Sequence, residues 1–191
     1  RLARKLENAF LHGVKVQRTS STAGSLGGVL QFIAGAGGNI DATGGNLSQT
    51  LINNVIEDIS AKGGMLINPV ILCAPNQARR ISALNTSGAN PQVFKDISDR
   101  TLGGFTTAFI GDLPIADKGT IAKIFVAQNM LKDKVAILDM NSISSKVMRG
   151  LTAKDATTNG TDGQKQRILT ELTLEVKNAT SAHGIITGLN L

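Results

Sequence analysis

The sequence predicts an α+β fold, and three observations support that prediction. Near the end of the chain, residues 168–176 alternate between apolar and polar side chains. A period of two over that length indicates a strand with one buried and one exposed face. Two amphipathic helical patterns, with a short apolar strand between them, lie in the first half. A run of strands follows them, and this order favours α+β architecture over alternating βα units.

The composition indicates a folded chain of 191 residues, of which 41% are hydrophobic and 18% are charged. The formal net charge of +6 suits a protein that lies near nucleic acid, but on charge alone we favour an ordinary soluble protein. The lack of Trp and Tyr argues against a base-stacking platform for single strands. Apolar runs are too short to span a membrane and no secretory signal is present, so we expect a cytosolic origin.

The first segment is predicted to be the end of a helix whose beginning is missing. The chain begins with Arg1 rather than Met, and apolar residues recur at helical spacing up to Leu11 without a capping residue before them. Gly13 is a good candidate for the glycine that ends this helix. Residues 14–45 are rich in Gly, Ser and Thr, and for them we predict extended strands and loops rather than helix.

The clearest predicted helix begins at Asn46, because Gln49 three residues later completes a capping-box pattern. Its apolar residues fall on one stripe, so one face should be buried, and Gly63-Gly64 should end it. The stripe comprises Leu47, Leu51, Val55 and Ile59, with Ile52 and Ile56 beside it.

The next elements are a loop with a short buried strand over residues 65–74 and a second helix that begins at Pro75. We expect the apolar residues of the second helix, Ala78, Ile81 and Leu84, to point inward, and we expect Arg79 and Arg80 to face solvent.

The second half is predicted to consist mainly of strands. Residues 85–105 and 140–163 are polar, and we predict no strand in either. Strands are predicted at 107–110, 121–127 and 135–139, with a turn at 128–134 and an edge segment at 113–115. The chain then ends in strands at 165–177 and 182–189, joined by a polar bend at 178–181.

Patterns that carry catalysis or cofactor binding are weak in this sequence. Residues 35–40 read GAGGNI, but Ile40 occupies the place of the third glycine of a dinucleotide fingerprint and no helix follows, so we predict a loop. His12 and His183 lie at opposite ends of the chain, and we place them at a helix end and at a strand start. Cys73, the only cysteine, lies in an apolar run and is predicted to be a buried small residue.

We therefore predict no catalytic residues, no cofactor and no metal site. Four aspartates, Asp112, Asp117, Asp133 and Asp139, are spaced too irregularly for a calcium loop. The sequence thus gives no support for an enzyme or a small-molecule substrate.

Three stretches together resemble a known family. The first is residues 46–84 (NLSQTLINNVIEDISAKGGMLINPVILCAPNQARRISAL), and the second is residues 135–155 (VAILDMNSISSKVMRGLTAKD). The third, which matches best, is the pattern RILTELTLEV followed by AHGIITGL. They resemble the major capsid proteins of tailed bacteriophages with the Hong Kong 97-type fold, and within that group the major head proteins of siphophage-like prophages. The first stretch is similar to the helix, strand and second helix of the family's axial domain, and the second resembles its return to the peripheral domain.

The resemblance implies a domain organisation. Residues 1–38 would form the end of the spine helix and a connection to the peripheral domain, and 39–143 the axial domain. Residues 144–180 would carry the long peripheral strand, and 181–191 would return to the axial sheet. The N-terminal arm and the extended loop of the family would be absent from this chain, so we expect it to fold without building shells.

The resemblance also implies a function. The chain would be a structural subunit that self-assembles through pentamers and hexamers into an icosahedral head, with weak, non-specific contact to the packaged DNA and no contact with a membrane. The head would be assembled in the cytoplasm of the host bacterium. The charged face of the last long strand is the candidate subunit contact: Lys165, Arg167, Glu171, Glu175 and Lys177. The alternative is a small nucleic-acid-binding or head–tail adaptor module.

Overall fold

The computed structural model describes residues 2–84, 108–109, 121–156 and 163–191. The predicted α+β class is confirmed, because the described part contains helices together with mixed sheets. The helices are α1 (Leu2–His12), α2 (Val29–Gly35), α3 (Gln49–Ala61) and α4 (Pro75–Leu84), with a one-turn 3-10 helix at Met140–Ser142. The strands are β1 (Asn39–Asp41), β2 (Pro69–Cys73), β3 (Ala108–Phe109), β4 (Ile121–Val126), β5 (Val135–Asp139), β6 (Ile143–Asp155), β7 (Gln166–Val176) and β8 (His183–Thr187).

Within the described ranges the strands form two separate sheets. The larger sheet has the order β1-β8-β5-β2-β4-β3, and the smaller is a two-stranded antiparallel ribbon of β6 and β7. In the larger sheet β1 runs parallel to β8 and β2 runs parallel to β4, while β5 is antiparallel to both of its neighbours. The last two predicted strands therefore both exist, but β7 belongs to the ribbon and β8 to the larger sheet.

The larger sheet is covered on both faces, which explains why its central strand reads as a continuous apolar run. Val135 and Ile137 of β5 pack into a core with the buried residues of α3 and α4. Ala136 and Leu138, which alternate with them, pack against α2 on the opposite face. Burial of each large aliphatic side chain contributes about 1.5–3 kcal/mol. The three helices therefore hold the sheet from two sides.

Helix α3 confirms the second predicted helix, but its cap is two residues later than predicted. Ser48 has an extended backbone, and its hydroxyl accepts a hydrogen bond of 3.2 Å from the amide of Leu51. The chain is not yet helical at Asn46, and Leu47, which precedes the cap, is already buried in the core. The predicted end is correct: Gly63 follows the C-cap Lys62 with a φ of +73°.

Helix α2 contradicts the prediction that residues 14–45 contain no helix. Val29, Leu30 and Ile33 are buried at helical spacing, and the N-cap Gly28 provides no side-chain cap. A helix of seven residues is marginal in isolation, so it is packing on the sheet that stabilises this one. A Cβ on Gly28 would lie 2.6 Å from the amide nitrogen of Gly13, so the close approach of α1 and α2 requires glycine there.

The polar segment 140–163 also departs from the prediction, because most of its described residues form β6, a strand of 13 residues. The other predictions for the second half fall partly outside the described residues: only 108–109 of the predicted strand 107–110 are described, and 113–115 are not. The strands β4 and β5 lie where they were predicted.

Helix α4 is confirmed from Pro75 onward, with Ala78 and Ile81 buried and Leu84 partly buried. Arg79 is exposed as predicted, but Arg80 is not simply solvated. Its guanidinium donates hydrogen bonds of 2.7 and 3.0 Å to the carbonyls of Asn190 and Leu191, so it fixes the last residues of the chain against α4.

Candidate subunit-contact surface on the two-stranded ribbon

The ribbon of β6 and β7 is open to solvent along much of its length, since all but the first two residues of β6 are exposed. Its register runs from Ile143 opposite Val176 at the base to Asp155 opposite Gln166 at the tip. The 11 residues of β7 extend roughly 35 Å at about 3.3 Å per residue. Side chains on the two faces differ, and we call them the charged face and the apolar face.

The charged face contains two ion pairs between the strands. Lys146 Nζ lies 3.4 Å from a carboxylate oxygen of Glu175, and Arg149 Nε lies 3.6 Å from one of Glu171. The Ser144 hydroxyl donates a hydrogen bond of 2.8 Å to Glu175. This bond, assisted by Lys146 and Lys177, lowers the pKa of the Glu175 carboxyl. Such exposed pairs add little stability, so they fix the orientation of the side chains more than they hold the ribbon together.

The five predicted contact residues lie along or beside β7. Arg167, Glu171 and Glu175 share the charged face, while Lys165 directly precedes β7 and Lys177 directly follows it. Glu171 and Glu175 are occupied by partners within the same chain. The sequence did not reveal these partners, because they lie on β6, for which no strand was predicted.

The apolar face is covered at its base and open farther out. Leu174 and Val176 pack, together with Ile143, against the core that contains α2. Farther along, Val147 is 61% exposed and Ile168 is 58% exposed, so the prediction of a fully buried face is wrong at Ile168. Within the described residues nothing covers these side chains, and an exposed apolar surface of this kind is typical of a contact site.

The base of the ribbon is anchored at a buried pair of titratable residues, Asp139 and His183. Both are at most 1% exposed, and the Asp139 amide donates a hydrogen bond of 3.1 Å to Nδ1 of His183. A carboxylate oxygen of Asp139 accepts hydrogen bonds of 3.0 and 3.1 Å from the amides of Asn68 and Asn141. Burial lowers the pKa of His183, with the Lys177 carbonyl and the Asp139 carboxylate acting against that effect.

This pair lies where the chain crosses twice between the sheets. Asp139 ends β5 just before β6 begins, and His183 begins β8 just after β7 ends, as predicted for a histidine at a strand start. The Lys177 amide donates a hydrogen bond of 2.9 Å to the Ser142 carbonyl and so joins the two crossings. Sequence reasoning gave Asp139 no role, since only the sheet topology places it beside His183.

The other residues considered from the sequence are structural in their surroundings. Cys73 is fully buried as predicted, and burial raises its pKa to about 11. The ring of His12 lies 2.7 Å from the Asn129 carbonyl through Nε2, which holds α1 against the turn between β4 and β5. No group of three His, Cys, Asp or Glu side chains in the described ranges is arranged to hold a metal ion. None of the helices described is long and apolar enough to cross a membrane.

Comparison with solved structures identifies the fold. The structure from Mycobacterium phage Bobi matches with a TM-score of 0.57 and 15% identity over 99% of this chain and 61% of that one. The structure from Mycobacterium phage Adephagia gives 0.54 and 16% over 98% and 61%. The capsid of an empty GTA particle gives 0.55 and 14% over 100% and 63%. The chain therefore spans about three fifths of the length of these proteins and has the Hong Kong 97-type capsid fold.

One of these proteins with the same fold forms a capsid, that of the empty GTA particle. The sequence model described as SU10 major capsid protein matches residues 1–190, and the chain belongs to that family. No curated protein matches the sequence.

Proposed function

We propose that this chain is part of a major capsid subunit, and that this subunit self-assembles through pentamers and hexamers into an icosahedral head that encloses phage DNA. Membership of the SU10 major capsid protein family supports this proposal. Subunits of such shells meet through heterologous contacts that close into rings. The proposed function therefore depends on the geometry of the contacts between subunits. The family assignment supports a structural rather than an enzymatic role.

The observation that carries the proposal is the ribbon, with its long exposed strands and its uncovered apolar face. A free monomer would gain nothing from exposing Val147 and Ile168, whereas a neighbouring subunit would bury them. On the charged face, we propose Lys165, Arg167, Glu171, Glu175 and Lys177 as contacts to neighbouring subunits.

The division into domains follows the two sheets in this proposal. We assign residues 39–143, which contain all but one strand of the larger sheet, to an axial domain around the symmetry axes, and 181–191 to its returning strand. We assign residues 1–38 and 144–180 to a peripheral domain, in which α2 packs against the base of the ribbon and also against the larger sheet. The separation of the ribbon from the larger sheet supports this assignment.

The partners are other copies of the protein and, by non-specific contact, the packaged DNA. The formal charge of +6 supports a weak electrostatic attraction to phosphates. The protein would be located in the virion, after assembly in the cytoplasm of the host bacterium.

Electron microscopy of the unsubstituted full-length protein, called the parent below, tests the proposal after expression. We expect closed shells with rings of five and six subunits. Monodisperse monomers at the concentrations at which related capsid proteins assemble would contradict it.

A further inference from the structure

The tip half of the charged face carries positive charge that the described part of the chain does not neutralise. Lys154 and Arg167 lie directly opposite each other in the register of β6 and β7. Side chains of directly opposite residues lie on the same face, and like charges in such positions are destabilising. The ion pairs of the described residues use Lys62, Lys146 and Arg149, so Lys154 and Arg167 have no carboxylate partner there.

A loop from the first quarter of the chain approaches the same face. Residues 18–24 and the side chains of Arg167 and Glu171 line an open cleft of about 720 Å³. Arg18 adds a second arginine to this cleft, and the single carboxylate, Glu171, is already paired with Arg149. The balance of charge in and beside the cleft is therefore positive.

The loop is held in a defined shape. Backbone hydrogen bonds of 3.1 and 3.3 Å join Val16 and Ser25 at its base. Within it, the Thr19 amide donates to the Thr22 carbonyl and the Thr19 hydroxyl accepts from the Thr22 amide, both at 3.1 Å. Hydroxyl groups that can donate to an anion thus stand beside the two arginines. The residues that line the cleft are Arg18, Thr19, Ser20, Ser21, Thr22, Ala23, Gly24, Arg167 and Glu171.

We propose that this cleft, together with Lys154 opposite Arg167, is a binding site for the phosphodiester backbone of the enclosed DNA. Arg, Lys, Ser and Thr side chains are those that contact phosphates in sequence-independent binding. A protein segment is a poorer fit, because Ala23 is the only apolar side chain in the lining and protein interfaces bury an apolar centre. The inference thereby assigns Arg167 to DNA and leaves the other four charged residues as the proposed contacts between subunits. The inference rests on the proposed function, since it specifies where a DNA-enclosing shell contacts its contents.

Two matched triple variants of the full-length protein test the site. The site variant is R18Q/K154Q/R167Q. The control variant R79Q/K123Q/K132Q removes the same charge from three other exposed cations. Anisotropy of a short fluorescent DNA duplex is measured against each protein between about 50 and 200 mM salt.

We expect the site variant to bind the duplex at least about tenfold more weakly than the parent at about 0.1 M salt, with a log–log salt slope smaller by about 2 to 3. The control variant should change both quantities much less. The inference would be overturned if the two variants lost equal amounts of affinity for the duplex, or if the site variant bound the duplex as tightly as the parent.

Electron microscopy of the same proteins separates the remaining outcomes. Shells from the parent together with unchanged duplex binding by the site variant would overturn the site but leave the proposed function intact. If the site variant bound duplex normally but built no shells, the cleft would instead receive an acidic segment of a second copy, and the inference would be wrong. Absence of shells from the parent would defeat the proposed function and, with it, this inference.

Discussion

The backbone amide of Asp139 donates a hydrogen bond to Nδ1 of His183, 44 residues farther along the chain. This bond requires an unprotonated Nδ1, and it joins the end of β5 to the start of β8 at the place where the ribbon leaves the larger sheet. The ring is fully buried, so a positive charge there would be poorly solvated. The orientation of the ribbon is therefore linked to the neutral state of one imidazole.

Acid should destabilise the fold through His183. Its pKa is lowered below the ordinary 6.5 by burial, so as the pH falls below 6.5 the unfolded chain binds the proton before the folded chain does. The free energy of unfolding should be insensitive to this residue above 6.5 and should decrease below it. Chemical denaturation at several pH values measures this dependence, with His12→Gln as the variant that should retain it. An NMR titration in which His183 charges above pH 6.5 would contradict the prediction.

Reversing the charges of Glu171 and Glu175 to Lys should impair assembly more than folding. The two ion pairs are exposed and screened by solvent, so their loss should cost little stability, and the same positions are proposed contacts between subunits. Denaturation measures the first effect and electron microscopy the second. The swap E171R/R149E restores an ion pair within the ribbon and serves as the control for stability. If the double variant assembled into normal shells, the proposal that these two carboxylates contact neighbouring subunits would be wrong.

Ile168→Asp should leave the isolated subunit nearly as stable as the parent but prevent assembly. The side chain is 58% exposed in the described fold, so placing a charge there costs little until a neighbour covers it. Burying that charge unpaired in an interface would then cost several kcal/mol. Ile67→Asp, at a site 63% exposed outside the ribbon, provides the matched control. The prediction fails if both variants assemble equally well.

Ser48→Ala should destabilise the chain by about 1 kcal/mol, whereas Asn46→Ala should have a smaller effect. The reason is that the Ser48 hydroxyl caps α3, while the Asn46 side chain accepts a long hydrogen bond of 3.4 Å from Asn190 and does not cap the helix in the described structure. Thermal or chemical unfolding of the two variants measures the difference. A larger loss for Asn46→Ala would place the cap where the sequence pattern suggested it.

The helices and buried strands could be predicted because local signals agree with packing. Pro75 begins α4, Gly63 ends α3, and the apolar runs of β2 and β5 are buried on both faces. Helix α2 could not be predicted, because a short segment capped only by glycine depends on the sheet beneath it. The charged residues of β7 were identified from alternation, but their partners Lys146 and Arg149 were not. The cleft formed with Arg18 also depends on contacts between residues far apart in sequence.

Strand β6 carries two irregularities, one between Val147 and Arg149 and one between Arg149 and Thr152. Each inserts one extra residue, and each extra residue exchanges the faces of the side chains that follow. The second irregularity reverses the effect of the first. Residues of the same parity therefore lie on the charged face at both ends of β6, and the parity differs only between the two irregularities, where Arg149 lies opposite Glu171. The apolar–polar alternation of the sequence is therefore interrupted in the middle of β6, and a search for a period of two does not detect the strand. By the same logic, a single insertion or deletion in the outer half of β6 would exchange the charged and apolar faces from that point to the tip.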